Sequence, residues 1–126
     1  AVALIKNHPD LDVIVAPTTV GILAAAQAVT DLGLVGKVFV TGLGLPSELA
    51  GHVHSGAVHN FAIWNPIDLG YSATMVAYNL VKGNHTKDSV PMGRMGELKL
   101  DEIGDGAMSD PFVYDASNVD AFSSVF

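Results

Sequence analysis

Three short, β-branched apolar runs alternate with helix-forming segments, and this alternation restricts the fold more than any other feature of the chain. The runs are residues 11–16 (Leu-Asp-Val-Ile-Val-Ala), 37–41 (Lys-Val-Phe-Val-Thr) and 60–64 (Asn-Phe-Ala-Ile-Trp). Each is too short for a helix, and 11–16 is apolar enough to be a strand covered on both faces. Between them, residues 21–29 are rich in Ala and Leu and favour a helix that stops near Gly33. Residues 47–54 suit a short helix closed by Gly56, and Asn65-Pro66 is an N-cap and first-turn pair. That last helix is predicted to run to Lys82, with Gly83 at its end. The amphipathic opening (Val2, Leu4, Ile5) reads as a chain that begins inside a helix, as a fragment would. Strands separated by helices through short connections predict right-handed crossovers, hence an α/β fold with a parallel sheet flanked by helices.

Beyond Gly83 the pattern changes. Residues 90–110 interleave Gly and Pro with polar residues, with one strand-like piece at 97–100. A last short strand is predicted at 111–114, ahead of Asp115-Ala-Ser-Asn118 and an apolar end over 119–126. Charge shifts in the same region. Six acids and five bases nearly cancel over residues 1–96, whereas residues 97–126 carry seven acids against Lys99 alone. Those acids are expected in loops, as surface solubility. With only 6 Lys and Arg in 126 residues, the chain lacks a nucleic-acid footprint. A hydrophobic fraction of 49% with 15% charged residues excludes intrinsic disorder. The absence of Cys excludes disulfides, thiolate metal sites and Cys nucleophiles, and suits a secreted bacterial protein. The longest apolar stretch, residues 20–26, is far short of the ~20 residues of a membrane span.

In an open α/β sheet, ligands bind at the carboxyl ends of the strands. Three loops emerge there, and the candidate ligand residues are Pro17, Thr18 and Thr19, then Gly42 and Leu43, then Trp64 and Asn65. They offer hydroxyls, an amide, an indole and close backbone approach, with no charge except nearby Glu48 and Asp68. An aromatic face beside neutral hydrogen-bonding groups suits an uncharged, polyhydroxylated ligand such as a sugar. The competing reading makes Trp64 a core residue and the Thr and Asn side chains simple caps.

Sharper chemistries fail on their residues. Gly42-x-Gly44 after a strand lacks the third glycine of a dinucleotide loop, and no acid closes the next strand to hold a ribose. His52 and His54, two apart on a helix, point about 200° away from each other and cannot share an ion. Asp101, Glu102, Asp105 and Asp110 lack the alternating ligand pattern of a calcium loop and read as turn acids. Asn84-His85-Thr86 is a glycosylation sequon by letter only. No Ser stands in a nucleophile elbow. The expectation is a binding protein, not an enzyme, without cofactor or metal.

The strand-end motifs carry a family resemblance. Residues 14–19 (Ile-Val-Ala-Pro-Thr-Thr) with 24–28 (Ala-Ala-Ala-Gln-Ala) resemble a strand and helix of periplasmic sugar-binding proteins of ABC transporters. The subgroup is the type I fold that includes rhamnose-binding and autoinducer-2-binding proteins. Residues 38–47 (Val-Phe-Val-Thr-Gly-Leu-Gly-Leu-Pro-Ser), 55–58, 61–65 (Phe-Ala-Ile-Trp-Asn), 68–71 and 110–115 continue the resemblance in order. It implies two α/β lobes closing on a ligand like a hinged clamp. This chain would be the C-terminal part, with 1–64 as second-lobe βα units and 65–126 as a helix, return segments and chain end. It implies ligand contacts at Pro17 and Thr19 through backbone atoms, with Thr18 and Thr19 hydroxyls as possible additions. Asn65-Pro66 is more similar to the rhamnose branch, since the autoinducer-2 branch carries an acid at the first position. Relatives often place an acid where Gly42 and Leu43 stand here. The implied function is capture of a neutral sugar and delivery to a membrane permease, in the periplasm, without membrane insertion or nucleic acid. The alternative is the sugar-sensing domain of a LacI-type transcription regulator, which shares this fold.

Overall fold

The computed structural model describes residues 1–125; Phe126, the last residue of the apolar end, lies outside the described residues. The elements run α1 (Val2–Asn7), β1 (Val13–Ala16), α2 (Thr19–Asp31), β2 (Phe39–Gly42), α3 (Pro46–His54), β3 (Asn60–Ile63) and α4 (Pro66–Lys82). They continue with β4 (Ser89–Pro91), a 3-10 turn (Gly93–Met95), β5 (Glu97–Lys99), β6 (Phe112–Asp115) and α5 (Val119–Phe122). The chain divides into two units, Ala1–Ile63 joined by the chain from Val113 onward, and Trp64–Phe112.

The first unit is the predicted α/β body. Strands β1 and β2 pair in parallel from Val13↔Phe39 to Ala16↔Gly42. Parallel bridges Val40↔Val58 and Leu43↔Ala62 continue the order onto β3, which pairs in turn with β6. The core forms from Ile14, Ala16, Val38 and Val40 of the strand region, with Ile22, Ala25, Ala26 and Val29 of α2. The alanines let α2 lie close to the sheet, since only a methyl separates backbone from backbone. Leu49 and Val53 of α3 join the same cluster. At its other end, Phe61 stacks on Tyr114 at 5.3 Å, and Tyr114 meets the edge of Phe122 at 5.3 Å. Val119 is therefore part of this core, and Phe122 packs against it.

One expectation is corrected here. Strand β1 is not covered on both faces: Ile14 and Ala16 are buried, but Val13 is 47% and Val15 70% exposed. Successive strand side chains point to opposite faces, and α2 packs against only one of them. Helix α2 also extends to both sides of the predicted span, because the Thr18 hydroxyl accepts the Gly21 N–H at 3.1 Å and starts the helix early.

The second unit is built around α4. Its end is closed by Gly83 in the left-handed conformation, φ 72°, as predicted for a C-terminal glycine. Strand β4, which the sequence pattern did not reveal, pairs antiparallel with β5. Asn79, buried on α4, anchors this hairpin by donating from Nδ2 to the Pro91 carbonyl at 2.9 Å.

The turn after β6 is closed by Asp115 and Ser117. The Ser117 hydroxyl and amide donate to Asp115 Oδ1 at 2.5 and 2.8 Å, which holds the Asp115 carboxyl below its usual range. A depressed carboxyl contributes stability above its unfolded pKa and loses it as pH falls through its folded pKa. Asp115 is therefore expected to titrate below the ordinary aspartate range in a carbon-detected NMR titration, and Ser117→Ala to bring it back toward that range.

Gly42 has φ 144°, and a Cβ there would overlap the Ala16 carbonyl oxygen. Gly42→Ala is expected to cost at least about 3 kcal/mol, through strain plus loss of strand register, measured as a lowered urea midpoint.

Candidate functional site

Backbone hydrogen bonds join the carboxyl ends of β1, β2 and β3, and the Thr41 hydroxyl, donating to Asn60 at 2.9 Å, adds a link from β2 to β3. Leu43 N–H donates to the Ala16 carbonyl at 3.0 Å, and Gly44 N–H to the Ala62 carbonyl at 3.2 Å. This brings Pro17, Thr18 and Thr19 to the same sheet edge as Gly42 and Leu43. Pro17 and Thr18 are exposed there, and Thr19, Gly42 and Leu43 are half-buried. The Thr18 oxygen serves the helix as an N-cap with one lone pair, which leaves the hydroxyl hydrogen to donate and a second lone pair to accept. Gly44 is buried, and a Cβ on it would collide with the Leu49 side chain and lie 3.2 Å from Ile22. The two glycines of this loop thus have different causes. Gly42 answers a backbone approach, Gly44 a packed core.

Trp64 and Asn65 open the second unit. Asn65 Oδ1 accepts the Ile67 N–H at 2.9 Å and the Asp68 N–H at 3.4 Å, capping α4, with Pro66 in the first turn. The Asn65 amide nitrogen has no partner among the described residues and remains a donor. Trp64 is not a member of the core; it is half-buried and its indole N–H donates to the Ser109 carbonyl at 2.7 Å. Its ring, with Leu69, Ala107 and Met108, lines an apolar cavity of about 280 Å³.

Asp68, the acid nearest Asn65, does not stand free. Arg94 Nη2 donates to its Oδ1 at 2.6 Å, and the guanidinium lies 4.6 Å from the centre of the Tyr71 ring. The Arg94 backbone N–H also donates to the Tyr71 oxygen at 3.2 Å. Ring and carboxylate together hold the cation, so the negative charge at the start of α4 is neutralised within its own unit. Sequence reading missed Arg94, Leu69, Ala107 and Met108. Arg94 stands 26 residues from its partner in a glycine-rich stretch, with no periodicity to pair them.

The other candidates resolve into structural roles. A wider cavity of about 490 Å³ lies at the amino end of β3, lined by Val53, His59 and Asp115 among others. Its carboxylate is already engaged by Ser117. His54 pairs with Asp120 at 2.9 Å, tying α3 to α5, and His59 meets the Phe39 ring edge at 4.5 Å. Among the described residues no group of three His, Asp or Glu is placed to hold a metal. Nor is any helix long and apolar enough to cross a membrane.

The cap makes a separable prediction. Asn65→Asp retains the oxygen that caps α4 and should leave thermal stability unchanged or slightly raised. Asn65→Ala should lose about 1 kcal/mol, read from urea unfolding.

Residues 1–85 match the family model for the periplasmic binding protein domain. An ABC-transporter solute-binding protein from Clostridium phytofermentas, solved with bound L-rhamnose, is 34% identical with a TM-score of 0.79, over 98% of this chain and 43% of that one. A sugar ABC transporter protein from Actinomyces odontolyticus is 39% identical with a TM-score of 0.72, over 95% of this chain and 39% of that one. LsrB from Clostridium saccharobutylicum in complex with AI-2 shares the fold, with a TM-score of 0.74 at 20% identity, over 96% of this chain and 42% of that one. The chain thus spans about two fifths of the length of these relatives. Its parallel strands, crossover helices and the match over residues 1–85 place it in the periplasmic binding protein domain family, with the type I fold of sugar ABC-transporter solute-binding proteins.

Proposed function

We propose that this chain is part of the solute-binding component of an ABC importer, capturing a neutral, rhamnose-like sugar and delivering it to a membrane permease from the periplasm. Residues 1–64 supply βα units of the second lobe of that protein, and 65–126 a helix, the return segments and the chain end. One observation carries the reading: the candidate residues of the strand-end loops are uncharged, offering hydrogen-bonding groups and an indole, and Asp68 nearby is held by Arg94. A polyol gains from hydroxyl, amide and backbone partners and from an aromatic face, and needs no counter-charge. The candidate ligand groups are Thr18, Thr19 and the backbone of Pro17, Gly42 and Leu43, and, taken by themselves, the Asn65 amide nitrogen and the Trp64 ring. L-Rhamnose bound to a relative at 34% identity supports the same ligand class. Closure of two lobes would then exclude water and present the loaded form to the permease.

The test uses the full-length protein. L-Rhamnose should raise its melting temperature and NAD should not. In calorimetry, Asn65→Ala should weaken sugar binding by ~1–3 kcal/mol, the cost of leaving a sugar hydroxyl without its donor. Asn65→Asp separates the two roles, since it keeps the cap and removes the donor. Unchanged affinity in both variants would take Asn65 out of the site.

A further inference from the structure

Arg94 touches none of the candidate ligand residues, yet three contacts fix it against the start of α4. Its Nη2 donates to Asp68 Oδ1 at 2.6 Å, and its guanidinium lies 4.6 Å from the centre of the Tyr71 ring. Its backbone N–H donates to the Tyr71 oxygen at 3.2 Å. Asp68 and Tyr71 are three apart on α4, so one side chain can span both. The preceding residue, Gly93, has φ 62°, and a Cβ there would collide with the Tyr71 hydroxyl. The Gly96 N–H closes this turn on the Gly93 carbonyl at 3.1 Å, and the Met92 N–H on the Gly96 carbonyl at 2.7 Å. Arg94 is exposed and Asp68 half-buried. An ion pair so placed adds little stability by itself. Here ring and backbone hold the cation, so the carboxylate meets a partner already in position.

What that carboxylate would otherwise accept is the point of interest. Asp68 stands at the third helical position of α4, and Asn65 is the N-cap. An acid at that position is placed to reach back to the N-cap residue and accept a donor there. Asn65 carries such a donor, its amide nitrogen, which has no partner among the described residues; its Oδ1 already accepts the Ile67 and Asp68 N–H groups. We propose that Arg94 is a positioning residue: by holding the Asp68 carboxylate it keeps that acid off the Asn65 amide, and the donor stays open to a sugar oxygen. The inference rests on the sugar-binding reading and deepens it by naming what keeps its donor available. A carboxylate is a stronger acceptor than a neutral hydroxyl, so an unheld Asp68 takes the amide hydrogen ahead of the ligand.

Titration calorimetry of L-rhamnose on the full-length protein reads the open donor. Arg94→Met should weaken binding about 3- to 10-fold, the loss of one neutral hydrogen bond. Asp68→Ala alone should stay within about twofold of the unmutated protein, and adding it to Arg94→Met should restore affinity to within about twofold. A purely structural clamp behaves differently, since deleting its second half cannot repair the loss of the first. The side-chain amide NMR signals of Asn65 in the ligand-free protein give an independent reading. They should shift in Arg94→Met and return in the double variant. Arg94→Gln, at the same exposed position, serves if Arg94→Met does not fold. Unchanged affinity in Arg94→Met, or a loss that Asp68→Ala does not repair, overturns the assignment and leaves the sugar reading standing. If the unmutated protein binds no L-rhamnose, the sugar reading falls and the amide signals decide alone. A shift reversed by Asp68→Ala then supports Arg94 as the guard of that donor, and the absence of such a shift overturns it.

Discussion

The Ala16 carbonyl oxygen is the point on which the first unit turns. It accepts the Leu43 N–H, and Gly42 lets the two backbones meet without a side chain between them. A parallel sheet has no tight hairpin to set its register, so register depends on which side chains must be buried and where backbones can touch. Here Ile14, Ala16 and Val40 set the buried face, and the close approach at Gly42 pins the end. The loops beyond inherit that alignment. Pro17, Thr18 and Thr19 stand beside Gly42 and Leu43 because of backbone bonds, independent of any bond between their own side chains.

The polar side chains of the strand-end loops answer the backbone before they can answer a ligand. Thr18 caps α2 with its oxygen, and Asn65 caps α4 with its own. Asn65 Oδ1 accepts two N–H groups and leaves the amide nitrogen as donor, whereas the Thr18 hydroxyl keeps its hydrogen and one lone pair. The capping role that the sequence offered for Thr18 and Asn65 is the one their hydrogen bonds show, and a donor remains on each. Trp64 follows the same logic. Its N–H is spent on Ser109, and its carbon surface is what remains.

The two units are held by different forces. In the first, aliphatic and aromatic side chains form one cluster from Ile14 to Val119, and burial of apolar area supplies the cohesion. In the second, polar links do more of the work: Asn79 on the Pro91 carbonyl, and Arg94 between Asp68 and Tyr71. The acidic final section, read from sequence as surface solubility, has a further part in closing turns. Asp101 Oδ1 accepts the N–H groups of Ile103 and Asp105 at 3.0 and 2.9 Å, Asp115 does the same for Ser117, and Asp120 reaches His54. A carboxylate in a turn satisfies backbone donors that no helix or sheet would reach.

Most of the α/β body was legible in residue order alone. Short β-branched runs and Ala-rich stretches differ in period, and Asn65, Pro66 and Gly83 mark helix ends by mechanisms that act within four residues. The neutral chemistry of the strand-end loops was legible too, because residue type dictates it. Strand β4 was not, since Ser89-Val-Pro91 is too short to show a period and exists only through pairing with β5. The exposure of Val13 and Val15 was equally hidden, because a run of apolar residues states affinity for a core but not whether one face meets it. Only tertiary structure decided that Arg94 neutralises Asp68, that Trp64 gives its N–H to Ser109, and that Leu69, Ala107 and Met108 share one recess. Those contacts join residues far apart in the chain, and local propensity carries no record of which distant side chains meet.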